Sequence, residues 1–301
     1  MRVKVILNPY ADNGHGRQKI EVVEAAARPY GGVDLALTER PQHGIDLARQ
    51  AAEDGYDVVA AAGGDGTVSD VMNGLMQAQN PAARLGIIPL GSGNDLAWNL
   101  GVPQDAATAV QRVFTGSPVT IDLARIEDEY GRSRFIDNNA GVGFDATVVI
   151  ETETITRLHG FPMYFLAVLR TILFFFNTPY LQVQFDGEEV AQKVLFVAFG
   201  LGRRHGGGFL ITPDARHDDG LIDTCTVNPV SRPTMLRMLL KVMKGTHITS
   251  SHVTMRQNQK ISIKSDAPLP IHVDGEMFAY PKDNVRQITV TSLPAALEVI
   301  V

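Results

Sequence analysis

The sequence predicts an α/β protein of two domains. Three observations carry that expectation. Strand and helix patterns alternate over the first 125 residues, two glycine-rich segments fall at strand-to-helix junctions, and after Asp122 the pattern changes to short alternating strands. Alternating strands and helices imply a parallel sheet covered on both faces. At 301 residues the chain is long enough for two domains of ordinary size.

Val3-Lys4-Val5-Ile6-Leu7 reads as the first strand, followed by a turn at Asn8-Pro9. A helix carrying Ile20, Val22 and Val23 leads to the alternating strand Val33-Asp34-Leu35-Ala36-Leu37. A helix over about 44–54 ends at Gly55, the position of a C-terminal glycine cap. The apolar run 57–62 reads as a buried strand, and the helix after it sets Val68, Val71, Met72, Leu75 and Met76 on one face. A strand over 85–90 and a helix around 106–114 complete a Rossmann-like parallel domain spanning 1–125, on which the tail at about 292–301 is expected to pack. Further on, Leu181-Gln182-Val183-Gln184-Phe185 alternates cleanly and meets an Asp186-Gly187 turn. Segments 194–199, 221–227, 261–263, 269–273 and 285–290 also read as strands, and 146–158, 161–176 and 234–244 as helices. The expected second domain, 126–291, is thus mostly β, β-sandwich-like, with helices. No low-complexity linker separates the two, so they are expected to pack around a cleft.

Composition narrows the function. A hydrophobic content of 45% and a charged content of 20% are ordinary for a globular protein. The net charge of −6 excludes a general nucleic-acid binder, which needs a basic face. Cys225 is the sole cysteine, so neither an intrachain disulfide nor a cysteine-rich zinc site can form, which fits a reducing cytoplasm. The N-terminus runs directly into a strand and offers no signal-peptide h-region. The stretch 161–176 is rich in Phe, Leu and Ile, but Pro162 and Arg170 interrupt it, and it is shorter than the roughly 20 residues of a spanning helix. Two readings stay open: a mostly buried helix, or a helix set against an apolar ligand or a membrane surface. Phe174-Phe175-Phe176 keeps the second open, because three consecutive aromatics cannot share one side of a helix.

The chemistry concentrates in the glycine-rich segments. Gly63-Gly64-Asp65-Gly66-Thr67 sits where a strand ends and a helix begins. Glycines there let the backbone approach a ligand, and the helix N-terminus supplies free N–H groups and partial positive charge, together a phosphate cradle. The Asp65 carboxylate would repel bare phosphate unless a cation or a ligand hydroxyl lies between, which points to a nucleotide with its metal. Pro89-Leu90-Gly91-Ser92-Gly93-Asn94-Asp95-Leu96-Ala97 repeats the arrangement one strand later. Its Ser92 hydroxyl and N–H groups suit phosphate, and Asn94 and Asp95 suit ribose or metal-bound water; alternatively, Asn94 or Asp95 caps the following helix. In such sheets ligands bind beyond the carboxyl ends of the strands, where both loops fall.

These two segments together resemble the diacylglycerol kinase catalytic family, which includes bacterial soluble lipid kinases and sphingosine kinases. The resemblance continues through Asn138-Asn139-Ala140-Gly141-Val142-Gly143-Phe144-Asp145, Gly206-Gly207-Gly208, Thr212-Pro213-Asp214-Ala215, Asp219-Gly220-Leu221 and His272-Val273-Asp274-Gly275-Glu276, and so covers nearly the whole chain. It implies that Asn8, Thr38, Gly63, Gly64, Asp65, Gly66, Thr67, Val68, Ser69, Gly91, Ser92 and Asn94 line an ATP site, and that Asp65, Asp95 and Asp122 hold Mg2+ through waters. Many relatives carry Thr at the Ser92 position, which keeps the hydroxyl. It also implies that Glu276 is the general base with Asp274 beside it, and that Arg216, Asp219 and Leu221 hold a second, structural Mg2+ through one carboxylate and two backbone carbonyls. A positioned carboxylate suits this chemistry, since an alcohol is a poor nucleophile and the rest of phosphoryl transfer is alignment and charge neutralisation. On extended chain, Asp274 and Glu276 would point to the same side. Plainer readings remain for each: a hinge carboxylate at Asp122, an ordinary turn at 216–221, a solvated Asp-Gly turn at 274–275, and solvated bases at Arg203-Arg204-His205.

The resulting expectation is a lipid kinase that transfers the ATP γ-phosphate, with Mg2+, to a hydroxyl of a lipid such as diacylglycerol. Lipid substrate would enter between the domains, and the protein would be cytoplasmic, with transient contact at the inner face of the membrane. Two rivals stay open: a NAD kinase, which shares the first loop, and a nucleotide- or lipid-binding regulator without turnover. Assembly into a homodimer and the identity of the acceptor lipid are equally open.

Overall fold

Apolar strands of four to six residues build the first of two units. The computed structural model describes residues 1–79 and 82–301, and divides into Met1–Ile121 with Ala295–Val301, and Asp122–Pro294. In the first unit β1 (Val3–Leu7), β2 (Asp34–Leu37), β3 (Val58–Gly63) and β4 (Arg84–Pro89) form a parallel sheet in the order β2-β1-β3-β4. Every residue of β3 is buried, as a central parallel strand covered on both faces must be. The helices are α1 (Ala11–Gly14), α2 (Ile20–Ala27), α3 (His43–Glu53), α4 (Asp65–Gln77), α5 (Asp95–Asn99) and α6 (Ala106–Thr115). α2 and α6 bury Val23, Ala27, Val110 and Val113 against one face of the sheet, while α3 and α4 pack together on β1 and β3. Gly74 of α4 permits that last contact, since a Cβ there would sit 2.7 Å from the Ala48 Cβ. Register pairs Leu7 with both Leu37 and Ala62, and Gly63 with Pro89. Asn8, Thr38, Gly64 and Leu90 therefore emerge along one sheet edge. At the opposite margin Val299 lies parallel beside Leu85.

The second unit is a β-sandwich with helices on one side. Its elements are β5 (Pro118–Asp128), which enters from the first unit, β6 (Ser133–Ile136), β7 (Asn139–Gly143), α7 (Phe144–Glu153), α8 (Gly160–Phe174), β8 (Tyr180–Phe185), β9 (Glu188–Lys193), β10 (Phe196–Gly200), β11 (Ile222–Val227), α9 (Arg232–Val242), β12 (Val253–Asn258), β13 (Lys260–Ser265), β14 (Ile271–Val273), β15 (Glu276–Ala279) and β16 (Gln287–Ile300), which returns to the first. One sheet runs β12-β11-β10-β7-β14-β15, antiparallel throughout. The other joins β16, β13, β8 and β9 antiparallel, with β5 and β6 paired at β16. Ala140, Val142, Val197 and Phe199 of the first sheet meet Leu181, Val183, Ile261 and Ile288 of the second in a buried apolar core. α7, α8 and α9 cover the outer face of the six-stranded sheet.

Several boundaries differ from the sequence reading. The helix expected over 146–158 runs Phe144–Glu153, and 118–143 holds three strands where only a change of texture was legible. β9 and β12 were also unforeseen; their sequences, Glu-Glu-Val-Ala-Gln-Lys and Val-Thr-Met-Arg-Gln-Asn, lie at sheet margins where one side faces water and little apolar pattern is needed. The strand expected over 285–290 continues to Ile300 through Pro294 and a positive-φ Ala295. Within 161–176, Ala167, Val168, Thr171 and Ile172 are buried, as the first reading expects, while Leu173, Phe174 and Phe175 are exposed.

Candidate active site

At the sheet edge of the first unit, one carboxylate joins the two glycine-rich loops. Asp65, the first residue of α4, accepts the backbone N–H of Asn94 at 2.8 Å and of Asp95 at 2.6 Å. Its charge, which seemed from sequence to demand a cation or a ligand hydroxyl, is met in part by those two N–H groups. The same bonds remove the Asn94 and Asp95 N–H groups from the expected phosphate cradle. Gly64 and Gly91 touch backbone to backbone, because a Cβ on Gly91 would collide with the Gly64 Cα, and a Cβ on Gly93 would lie 2.6 Å from the Asp65 carboxylate. Asn94 takes the left-handed conformation at φ 53° and closes its own loop, accepting from the Gly91 N–H at 3.0 Å and donating to the Gly91 carbonyl at 2.8 Å. It therefore acts as a loop lock.

The remaining residues expected at a nucleotide divide into two groups. Gly64, Asp65, Gly66 and Gly91 are half-buried along the edge, Ser92 is exposed at the loop tip, and Asn8 and Thr38 stand at the ends of β1 and β2. The Asn8 amide donates to the Thr67 hydroxyl at 3.3 Å. Thr67, Val68 and Ser69 are buried within α4, and Asp95 is buried at the start of α5. Only the first group faces outward.

In the second unit, Asp274 and Gly275 form the two-residue turn between β14 and β15, with φ of 48° and 78°. Two successive positive φ values mark a type I′ hairpin turn, for which Asp-Gly is a favoured pair. This corrects the extended-chain expectation: Asp274 lies in the turn itself, and Arg134 acts on both Asp274 and Glu276. The Asp274 carboxylate is buried and accepts the N–H groups of Asp137 at 3.2 Å, Asn138 at 3.1 Å and Asn139 at 2.9 Å. Burial pushes its pKa up, while those N–H groups and Arg134 pull it back. It holds residues 137–139 against the hairpin. Glu276 is half-exposed and accepts from Arg134 at 2.7 Å. Tyr164 of α8 overhangs the turn, its hydroxyl 2.9 Å from where a Cβ on Gly275 would stand. Beneath, the His272 Nε2–H donates to Asp145 at 3.0 Å, tying β14 to the first turn of α7. Arg134, Tyr164 and the Asp145–His272 pair escaped the sequence reading, since nothing local links Arg134 to a glutamate 142 residues away.

Asp122, expected beside the nucleotide, takes another role inside the second unit. Its carboxylate accepts the Gly220 N–H at 2.6 Å and its own N–H donates to the His217 carbonyl at 2.6 Å. It thus anchors 216–221, the loop expected to hold a structural metal. There the Asp219 carboxylate accepts the Leu221 N–H at 3.0 Å, Ser292 donates to the Gly220 carbonyl at 2.8 Å, and Arg216 pairs with Asp218 at 3.0 Å. Burial raises the nearby Asp223 to about 6, and Asp219 and Asp214 add to the rise. Among the described residues, no three His, Cys, Asp or Glu side chains gather as metal ligands. Of the basic trio, Arg204 donates to the Gly207 carbonyl at 2.7 Å, and His205 is buried with Nε2 at 3.1 Å from the Gly202 carbonyl. Burial holds His205 down at about 4.

Comparison with known proteins gives the class first: a kinase made of an α/β unit and a β-sandwich unit. The family described as "Diacylglycerol kinase catalytic domain" matches residues 2–126, and the one described as "YegS C-terminal NAD kinase beta sandwich-like domain" matches 138–301. A "Diacylglycerol kinase" of Mycobacterium tuberculosis (strain ATCC 25618 / H37Rv) is 32% identical over 99% of this chain and 94% of that protein. A "Probable lipid kinase YegS-like" of Chromohalobacter salexigens is 33% identical over 88% of this chain and 85% of that one. The chain belongs to the diacylglycerol kinase family of lipid kinases. Its fold is shared with a solved structure titled as a putative diacylglycerol kinase from Bacillus anthracis str. Sterne, with a TM-score of 0.82 at 21% identity over 99% of this chain and 94% of that one.

Proposed function

We propose that this protein is an ATP- and Mg2+-dependent lipid kinase that transfers the γ-phosphate of ATP to a hydroxyl of a lipid such as diacylglycerol. The observation that carries the reading is the Asp65 clasp, which presses two glycine-rich loops together at the C-terminal edge of a parallel sheet. Beside that contact lies the N-terminus of α4, a helix of 13 residues whose dipole favours anions such as phosphate. The names of the matched relatives point to the same acceptor class.

The oxygen-only donor set fits Mg2+. An ionised carboxylate has about four acceptor sites, so Asp65 retains capacity for metal-bound water beyond the N–H groups of Asn94 and Asp95. Mg2+ on the phosphates would neutralise charge that develops on the transferring group. The Arg216 and Leu221 carbonyls with Asp219 suit a second hard cation. Glu276 is the general base: half-exposed, it can reach an acceptor hydroxyl and take its proton, while Arg134 orients it. Asp274 serves by holding the hairpin and residues 137–139 in place.

ADP release with Mg·ATP against dispersed lipids, with NAD in the same panel, tests the proposal. Lipid-dependent ADP release is the expected result. Turnover with NAD alone would replace the lipid acceptor by a dinucleotide, and ATP binding without any acceptor-dependent release would leave a regulator.

A further inference from the structure

α8 and α9 lie side by side on the outer face of the six-stranded sheet. Ala167, Val168 and Ile172 of α8 and Met235, Met238 and Leu239 of α9 are buried in one cluster with that sheet. The Arg232 Nε–H donates to the Ile172 carbonyl at 2.9 Å, and its guanidinium stands 5.7 Å from the Phe176 ring, joining the start of α9 to the end of α8. With these faces spent on the sheet, the opposite faces point outward. They are apolar: Leu166 and Leu173 lie two turns apart on α8, with Phe174 and Phe175 at its end, and Leu236, Leu240 and Met243 follow one another at i, i+4 and i+7 on α9. Phe174 is 70% exposed and Leu240 61%. Single exposed apolar side chains are normal, whereas a group of them on adjacent helices marks an interaction surface.

Charge identifies what covers it. Neither helix carries an Asp or Glu, while Arg170, Arg232, Arg237, Lys241 and Lys244 lie on them or directly after, in a chain whose net charge is −6. Arg237, Lys241 and Lys244 form a stripe directly beside Leu236, Leu240 and Met243. The nearest acids on α7 are engaged, Glu151 with Arg170 at 3.0 Å and Glu153 with the Tyr280 hydroxyl at 2.7 Å. An apolar stripe flanked by a basic one is the pattern of a helix that lies in a membrane interface. A second copy of this chain would bring an identical basic face against the first, and like charges oppose that. No helix among the described residues is long and apolar enough to cross a membrane.

We propose that the α8–α9 face is the surface by which this protein docks on an anionic lipid bilayer. The inference rests on the lipid kinase reading and extends it, because an acceptor that resides in a bilayer must be met at the bilayer surface. Phe174, Phe175 and Leu240 enter the boundary between headgroups and acyl chains, while Arg237, Lys241 and Lys244 meet lipid phosphates.

Co-sedimentation of the full chain with phosphatidylcholine vesicles, with and without phosphatidylglycerol, over a salt series tests this. Binding to the anionic vesicles that weakens with salt is expected. The double variant Phe174→Ser/Leu240→Ser should lose roughly tenfold or more in partitioning. The triple variant Arg237→Gln/Lys241→Gln/Lys244→Gln should lose roughly fivefold per charge and show a flatter salt dependence. All five positions are exposed, and thermal unfolding reports whether each variant folds. Wild-type turnover of a water-soluble short-chain diacylglycerol examines the kinase reading separately. Turnover without vesicle binding overturns the docking face and leaves the kinase standing, and vesicle binding without turnover does the reverse. Vesicle binding unchanged in both variants overturns the proposal. So does self-association that Phe174→Ser/Leu240→Ser abolishes in a protein that ignores vesicles, which would assign the face to a second copy.

Discussion

The Arg134 guanidinium donates to the Glu276 carboxylate at 2.7 Å across the β-sandwich unit. Arg134 is 12% exposed and Glu276 43%, so a fixed cation holds a carboxylate that reaches solvent. If Glu276 is the base, Arg134 sets its direction. Arg134→Gln should then lower kcat roughly tenfold or more, less than the roughly 10²–10⁴ expected on losing the base itself. KM for ATP should stay the same, and Arg134→Lys should recover part of the rate. Steady-state ADP release measures all three, and an unchanged kcat in Arg134→Gln contradicts the orienting role.

Asp65→Asn offers one oxygen to two N–H groups and turns an amide donor toward the other. The clasp between the loops should weaken by about 1–3 kcal/mol in chemical denaturation, with a parallel loss of Mg·ATP affinity by calorimetry. Gly91→Ala should lose nucleotide binding too, since its methyl group would occupy the backbone of Gly64.

Asp274→Asn separates a structural carboxylate from a catalytic one. Replacing a buried acceptor of three N–H groups should cost about 2–4 kcal/mol. At a temperature where the variant is still folded, activity should persist at a reduced level. Complete loss of turnover in a fully folded Asp274→Asn protein would return Asp274 to the reacting centre.

The pH dependence of stability has a defined sign at His205. Burial holds its folded pKa at about 4, below the ordinary 6.5, and its buried Nδ1 has no hydrogen-bond partner among the described residues. Above about pH 6.5 neither state is protonated there and stability is full. As pH falls toward 4 the unfolded chain takes up a proton that the folded one refuses, and stability declines by on the order of 3 kcal/mol. Denaturation midpoints between about pH 7 and about pH 5 should fall less in His205→Gln than in the wild type. Equal slopes would contradict a neutral buried imidazole.

The parallel half was legible because its signals are local: apolar runs of strand length, helical periodicity in α4, and glycine at each strand end. The β-sandwich was legible at Leu181-Gln182-Val183-Gln184-Phe185, whose alternation and Asp-Gly turn both appear in β8 and β9. It was illegible at β5, β6 and β7, where Asp122, Asp137, Asn138 and Asn139 interrupt the apolar pattern. Their burial depends on partners far along the chain: Asp274 accepts the backbone N–H groups of 137–139, the Asn138 amide donates to the Arg204 carbonyl, and the Asp122 carboxylate accepts the Gly220 N–H. The same limit applies to the candidate site. Sequence supplied Asp65, Asp95 and Glu276 as residue types at plausible places, but the clasp, the Arg134 pair and the bonds that bury Asp274 against residues 137–139 depend on pairings across 29 to 142 residues.

Glu276→Gln, assayed beside the wild type for ATP binding and for lipid-dependent ADP release, decides whether this carboxylate is the base of a lipid kinase. The wild type should turn over a lipid acceptor, and the variant should bind Mg·ATP with little change and lose transfer. Near-normal transfer by Glu276→Gln, or wild-type turnover with NAD and no lipid, would contradict that reading.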